Sequence, residues 1–416
     1  MTDLASVTCA GCGLLCDDVI VDSSGAAVRL RPECSLGAEW FSQRVRRSAG
    51  APAASIRGQP ADVEAALSRA ADLLRGARRP LVHGFDWATV EDARAAVALA
   101  DRLGALIVPG GASGPWPGSP AVPLRGASSA TLGEIRDRSR LVVIWREDPV
   151  STHPRLLDRL GFGVGATPRV GADATARLGA ERRLVVVDDR DTSTAERAEL
   201  QLRWPRERDL EALTALHARH RKLALRPSDL AAQLDGLLEL INVVPHAAFV
   251  YGAGLVSGRG GQRRALALHE LVRALCHDRH VVTLELPPAT GTRSVQDVLA
   301  WQTGYPQSVD LLSGHPELVT ATRPLETGEG VDVSLRVEGA FTKLPDGATE
   351  IALSSLPGGS AGTEPEVSIR TAAPGVEANG TAHRLDGVPL ALQAPLRGAG
   401  PTAAALLTRL LAEIEA

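Results

Sequence analysis

Residues 79–111 read RPLVHGFDWATVEDARAAVALADRLGALIVPGG, and three segments of different period follow one another in them. RPLVHGF (79–85) is a short apolar run of the kind that forms a strand buried on both faces. EDARAAVALADRLG (91–104) carries a continuous Ala/Val/Leu face at helical spacing, and ALIVPGG (105–111) is a second buried strand. Strand, helix, strand in this order implies a parallel pair joined by a crossover helix. The pattern recurs outward from here. LGEIRDRS precedes RLVVIW (140–145), and HPRLLDRLG precedes RRLVVVDD (182–189). After the surface helix of WPRERDLEALTALHARHRKLA, SDLAAQLDGLLELINVV precedes AAFVYGAG and RALALHELVRALC precedes HVVTLEL. From residue 325 onward Gly, Pro and Thr increase and the strands shorten (VDVSLRV, TEIALSS, EVSIRTA), before a closing amphipathic helix, TAAALLTRLLAEIEA. The expected fold is α/β, with Rossmann-like parallel-sheet units and a small cysteine-bearing N-terminal lobe. The expected division is 1–52 (N-terminal lobe), 53–205 and 206–325 (two α/β units) and 326–416 (a C-terminal portion with short strands).

A chain of 416 residues is too long for one ordinary core and implies two or three packed units. Its formal charge is −4, with both signs mixed along the chain, which argues against a nucleic-acid or polybasic membrane surface. MTDLASVTC has no basic segment followed by an apolar core, and no apolar run approaches the ~18 residues of a membrane span, so the cytoplasm is the expected location.

Cys9, Cys12, Cys16 and Cys34 are four of the five cysteines in the chain. In CAGCGLLCDD the spacing is C-x2-C-x3-C, and the fourth thiol stands in RPECSLG after seventeen intervening residues. Closely spaced thiols on a Gly-containing loop can converge on one centre, with the distant one completing the set. In a reducing compartment this means metal rather than disulfides. Four thiolates suit a 4Fe-4S cluster or a structural zinc; the unequal short spacings lean toward the cluster, since zinc ribbons more often use two C-x2-C knuckles. Cys276, at an apolar spacing in LHELVRALCHD, reads as core.

Other residues have plainer readings. YGAGLVSGRGG (251–261) follows a strand but lacks Walker and dinucleotide spacing, so it reads as a strand-to-helix turn. His153, Pro154 and Arg155 read as a helix start, and Asp188, Asp189 and Arg190 end a strand at the carboxyl edge where open α/β sheets bind ligands. His217 and His220 share a helix face without an identifiable third ligand and read as solvated. HDRH (277–280) reads as a polar helix end. No G-x-S-x-G, H-E-x-x-H or P-loop occurs.

CAGCGLLCDDV with the distant Cys34 resembles the N-terminal cluster motif of the B subunits of formylmethanofuran dehydrogenases, in the molybdopterin oxidoreductase superfamily. LADRLGALIVPGGASGP (99–115), VVIWREDPVSTHPRLLDR (142–159), LVVVDDRDTSTAERAE (184–199), VLAWQTGYPQSVDL (298–311) and ANGTAHRLDGVPL (378–390) resemble the same family. The resemblance implies that the parallel-sheet units are of the molybdopterin oxidoreductase type and that the N-terminal lobe binds iron-sulfur.

The chain departs from the family at the cofactor. Where the family carries a Cys-His pair before Gly-Pro, the Cys ligating tungsten or molybdenum, this chain has Ala112 and Ser113. A methyl group cannot ligate a metal, and the Ser113 oxygen lies one position late, so its side chain points elsewhere. Where the family places a small Gly-containing loop against the pterin dinucleotide, this chain has Arg146, Glu147 and Asp148. Two carboxylates there oppose an anionic pyrophosphate unless Arg146 offsets them. The nucleotide-contacting Asp-Pro loop of the family is not recognisable in SLRVEGAFTKLP. The residues left to face a pterin nucleotide are Arg146, Asp148, Asp188 and Arg190.

This pattern resembles the B subunits of bacterial formyltransferase/hydrolase complexes, whose A and D subunits do the chemistry that releases formate from formyl-tetrahydromethanopterin through methanofuran or a related carrier. It implies a non-catalytic component with A, C and D partners, a 4Fe-4S cluster or zinc in the lobe, and no bis-pterin tungsten or molybdenum centre. The alternative is an active molybdenum or tungsten formylmethanofuran dehydrogenase component passing electrons through its cluster.

Overall fold

RLVVIW becomes the strand Leu141–Trp145, buried at every position, and around it forms a five-stranded sheet in a computed structural model of the chain. The structure describes residues 4–22, 28–47, 52–110, 121–163, 182–319, 330–340, 347–356, 364–396, 398 and 400–416. The spatial order of this sheet is Leu200–Leu202, Arg183–Val187, Leu141–Trp145, His246–Tyr251, His280–Glu285, and every neighbouring pair is parallel. In chain order that is third, second, first, fourth, fifth, the arrangement of a doubly wound sheet. The chain therefore reverses its direction of travel between Leu141–Trp145 and His246–Tyr251, where Trp145 stands opposite Tyr251. The connecting helices are Leu132–Arg138, Asp209–His220, Ala231–Val243 and Gly261–Leu275.

A second, nine-stranded sheet carries the βαβ unit of residues 79–111. Its centre is five parallel strands in the order Leu106–Pro109, Pro80–Gly84, Val333–Val337, Thr349–Ser354, Val367–Arg370. Two strands at each edge run antiparallel: Val309–Asp310 and Glu317–Leu318 on one side, Ala54–Ile56 and Gln59–Ala61 on the other. One face is apolar, with Val82, Ile107, Leu335, Ile351 and Val367 packed in one core with the helices Val63–Gly76, Val90–Leu103, Thr292–Thr303 and Ala403–Glu415. Each fully buried Leu here, such as Leu335, contributes about 2 kcal/mol. Val90–Leu103 starts at a reciprocal cap between Thr89 and Asp92 and stops at Gly104, whose φ of 60° is the left-handed conformation that glycine adopts freely. The opposite face holds buried polar groups. Arg336 pairs with Glu350 at 2.6 Å, and His83, opposite Arg336, is driven down to a pKa of about 3 by burial and then by that guanidinium.

The chain forms two compact units, Met1–Trp116 with Pro288–Ala416, and Pro117–Pro287. This differs from the four consecutive portions expected above: the strands of 53–205 divide between the two sheets. Parallel neighbours are joined through crossovers, so strands adjacent in space need not be adjacent in sequence, and periodicity does not say which of them will pair.

The N-terminal residues form a three-stranded antiparallel sheet, Leu4–Val7, Val19–Asp22 and Arg29–Arg31, followed by the helix Ser35–Arg47. It is tied to the rest of its unit by Thr8 N–H to Gln393 Oε1 (3.2 Å), Thr290 Oγ1 to the Ala10 carbonyl (2.9 Å) and Leu385 N–H to the Gly13 carbonyl (2.9 Å). Among the described residues no helix is long and apolar enough to cross a membrane.

Candidate functional site

Two places gather the residues singled out by the sequence. The first is the loop between Leu4–Val7 and Val19–Asp22. Cys9 N–H donates to the Cys16 carbonyl (2.9 Å) and Leu15 N–H to the Cys12 carbonyl (3.2 Å), which folds C-x2-C-x3-C into a closed turn. Gly11 N–H points at Cys9 Sγ at 3.4 Å, a bond that would favour a thiolate. Cys34 immediately precedes Ser35–Arg47. That helix approaches the loop through glycines: a Cβ on Gly37 would meet Cys9 Sγ at 3.1 Å, and one on Gly11 would meet Gly37 Cα at 3.1 Å. Side chains at either position would push the fourth cysteine's helix off the other three.

None of the four thiols forms a disulfide; Cys9 and Cys16 are buried, and Cys12 and Cys34 partly so. Burial pushes the Cys12 thiol far above its ordinary range, and the nearby Cys16, Cys9 and Cys34 raise it further, against a hydrogen bond from Leu14 N–H. The other three cysteines are thus within electrostatic reach of Cys12. The donor chemistry, all thiol and in a glycine-lined cradle, fits a thiophilic metal centre. Among the described residues no three His, Cys, Asp or Glu side chains are arranged to hold a metal ion.

The second place is the crevice outside the carboxyl ends of Leu141–Trp145 and His246–Tyr251. Arg146, the first residue after its strand, has φ 54°, a strained conformation for a non-glycine residue, and it turns the guanidinium inward. Its side chain is 2% exposed. Nε donates to Asp209 Oδ2 at 3.0 Å, Nη1 to Asp189 Oδ1 at 2.6 Å, and Nη2 to both Asp209 and the Trp204 carbonyl. Trp204 Nε1 completes Asp209 at 2.9 Å. Asp188 is buried and takes a bidentate pair from Arg190 at 3.0 and 2.8 Å. Burial alone would raise the Asp188 carboxyl; the Arg190 hydrogen bonds and the charges of Arg190 and Arg146 outweigh it and hold it below the ordinary value. Asp148 accepts Thr194 N–H at 3.0 Å and Ser151 Oγ at 2.6 Å.

Arg146, Asp148, Asp188 and Arg190 are therefore brought together, but Arg146 and Asp188 are consumed by partners inside the protein. The Arg146 cation expected to offset the loop's carboxylates does not face the crevice, and the cation whose charge reaches Glu147 is the largely exposed Arg190. Ala112 and Ser113 lie outside the described residues.

The nine-stranded sheet changes direction between Pro80–Gly84 and Val333–Val337, and there too a glutamate follows the strand. Glu338 is fully buried with φ 40°. It accepts Ser355 N–H (3.2 Å) and Oγ (2.7 Å) and the Thr371 hydroxyl. Burial, then the charge of Asp92, pushes its carboxyl up to about 7.

Some residues lie elsewhere than the sequence suggests. Cys276 is not core: Gly261–Leu275 ends one residue earlier, and Cys276 caps it, exposed, with Sγ 3.1 Å from the Val281 carbonyl. His217 and His220 are half-buried and line a surface cavity of about 640 Å³ with Glu270, Arg273, Cys276 and His277. His220 Nε2 meets the Ala274 carbonyl at 3.2 Å. His153 is buried, which lowers its pKa to about 4.

One contact was out of reach of sequence spacing. The strings VLAWQTGYP and GTAHRLDGVP meet where His383 Nδ1 lies 2.6 Å from Asp297 Oδ2 and its ring stands edge-on to exposed Trp301, 5.4 Å away. Asp297 and Trp301 lie on one face of Thr292–Thr303, a helix whose spacing could have been noticed; the pairing across 86 residues could not.

No family model matches the chain. It is 29% identical to the B subunit of the tungsten-containing formylmethanofuran dehydrogenase 2 of Methanocaldococcus jannaschii over 413 residues, 93% of this chain and 92% of the relative. It is 38% identical over 92 residues to the B subunit of the formyltransferase/hydrolase complex Fhc of Methylorubrum extorquens, covering 22% of this chain and 25% of the relative. In fold it is similar to a chain of the formyltransferase/hydrolase complex FhcABCD of M. extorquens, solved by crystallography in complex with methylofuran, with a TM-score of 0.69 at 24% identity over 87% of this chain and 99% of that one. Along nearly its whole length, then, the chain is similar to a formylmethanofuran dehydrogenase B subunit, from the family that its cysteine loop resembles.

Proposed function

We propose that this chain is the B-type component of a cytoplasmic formyltransferase/hydrolase complex in tetrahydromethanopterin-linked C1 metabolism, non-catalytic in itself and assembled with A, C and D subunits. In this reading its sheets are Rossmann-like units of the molybdopterin oxidoreductase type whose bis-pterin tungsten or molybdenum centre has been lost, while the N-terminal lobe keeps a 4Fe-4S cluster. The observation that carries it is Arg146: the cation of the switch-point loop is buried against Asp209 and Asp189 and is not free to meet a pyrophosphate. Ala112, where the family has its metal-binding thiolate, points the same way. For the cluster, the support is the all-thiol donor set and the unequal C-x2-C-x3-C spacing. Such a centre would supply folding free energy to a small lobe.

A second reading, a working dehydrogenase component with an unusual ligand set, is favoured by the tungsten-containing relative, which matches over nearly its full length. The two readings separate in one assay. The chain is co-purified anaerobically with the products of its neighbouring genes and given a formylated carrier. The proposal expects formate release with no reduction of a viologen dye. Dye reduction that depends on this chain would overturn it.

A further inference from the structure

We infer that Glu147 is a built-in anion: its carboxylate fills the glycine turn at the switch point of the five-stranded sheet, and the crevice is closed from within. This rests on the reading above that the cofactor site is silent.

Ligands of open parallel sheets lie outside the carboxyl ends of the strands where the chain reverses direction. Here those ends lead into Arg146–Asp148 on one strand and into Gly252, Ala253 and Gly254 on the other. Glycines at such a turn let an anion come close to the backbone. In this chain the visitor is already present. A Cβ on Gly252 would overlap Glu147 Oε2, and one on Gly254 would overlap the Arg146 carbonyl. Burial raises the Glu147 carboxyl above its ordinary value, and it is opposed by hydrogen bonds from the N–H of Asp148 and of Gly254 and by the charge of Arg190, all of which favour the ionised form. The glycines thus make room for the loop's own carboxylate. An incoming phosphate would find the space beside Gly252 taken by Glu147 and a like charge in its path, with Arg146 committed to Asp209.

The test is chemical rescue on the full chain, with inorganic pyrophosphate as the probe and thermal unfolding as the readout. Glu147→Ala leaves the turn unfilled and should lower Tm by about 2–4 °C. Millimolar pyrophosphate should recover part of that loss in Glu147→Ala and shift neither the wild type nor Glu147→Gln, which keeps the space filled. An equal pyrophosphate shift in the wild type, or a shift in Glu147→Gln, would mean that the crevice is open and would overturn the inference. A Glu147→Ala chain with unchanged Tm and no rescue would overturn it too, because the carboxylate would then be holding nothing. Neither failure touches the reading of a silent cofactor site, which tungsten and molybdenum content decides.

Discussion

In the cysteine loop four thiols gather within electrostatic reach, and their closeness adds to the burial that raises the pKa of Cys12. In the crevice of the five-stranded sheet the charges are matched from within: Arg146 by Asp209 and Asp189, and Asp188 by Arg190. A glutamate also occupies the switch point of the nine-stranded sheet, where Glu338 is satisfied by Ser355 and Thr371. The first region brings together donors of one kind; in the other two the charged groups are met by partners from the chain itself. Two switch points of parallel sheets in one chain thus each carry an acid held by the chain's own groups.

Removing a thiol strikes hardest at this contrast. Cys12→Ala should drop iron from about four atoms per chain to below about one, with a loss of metal-linked stability on the order of 10 kcal/mol in the lobe, read by iron analysis and by protease susceptibility of the N-terminal residues. A variant with unchanged iron would place the metal elsewhere.

Next in size is the buried cation. Arg146→Met strands Asp209 and should cost about 3–5 kcal/mol in urea unfolding. A double-mutant cycle with Asp209→Asn should give a coupling above about 1 kcal/mol, and a value near zero would remove the pair as the reason the crevice is shut.

A smaller effect should appear with pH at the second switch point. The folded pKa of Glu338 is raised to about 7 from an ordinary 4.5, so the native state keeps a proton that the unfolded chain gives up. Stability should therefore fall as pH rises from about 4.5 to about 7. Glu338→Gln should abolish that fall, a difference on the order of 3 kcal/mol at pH 8. An unchanged pH slope in Glu338→Gln would mean that this acid is solvated, and that the second switch point is open where the first is closed.

The strands LVVIW and LVVVD were legible because they are short apolar runs, and Val90–Leu103 because its apolar face has helical period. Their grouping into sheets was not, since Pro80–Gly84 pairs with a strand some 250 residues later. The apolar spacing that puts Cys276 in the core continues to the last turn of the helix but says nothing of the residue that ends it. At the crevice, the family resemblance names Arg146 and Asp188 as facing one ligand but leaves open which way the guanidinium turns; that depends on Asp209, 63 positions away. Glu147 reads as a charge facing the ligand, whereas its carboxylate lies against Gly252, which no composition or spacing reveals.

Counting metals tests most directly whether a metal loop is retained beside a closed cofactor crevice. The chain is purified anaerobically with its genomic partners, and iron, zinc, tungsten and molybdenum are measured per protein. Iron near four atoms per chain, with neither tungsten nor molybdenum, is the expected result. Stoichiometric tungsten or molybdenum would contradict it, and would mean that the redox chemistry of the family is alive in this chain.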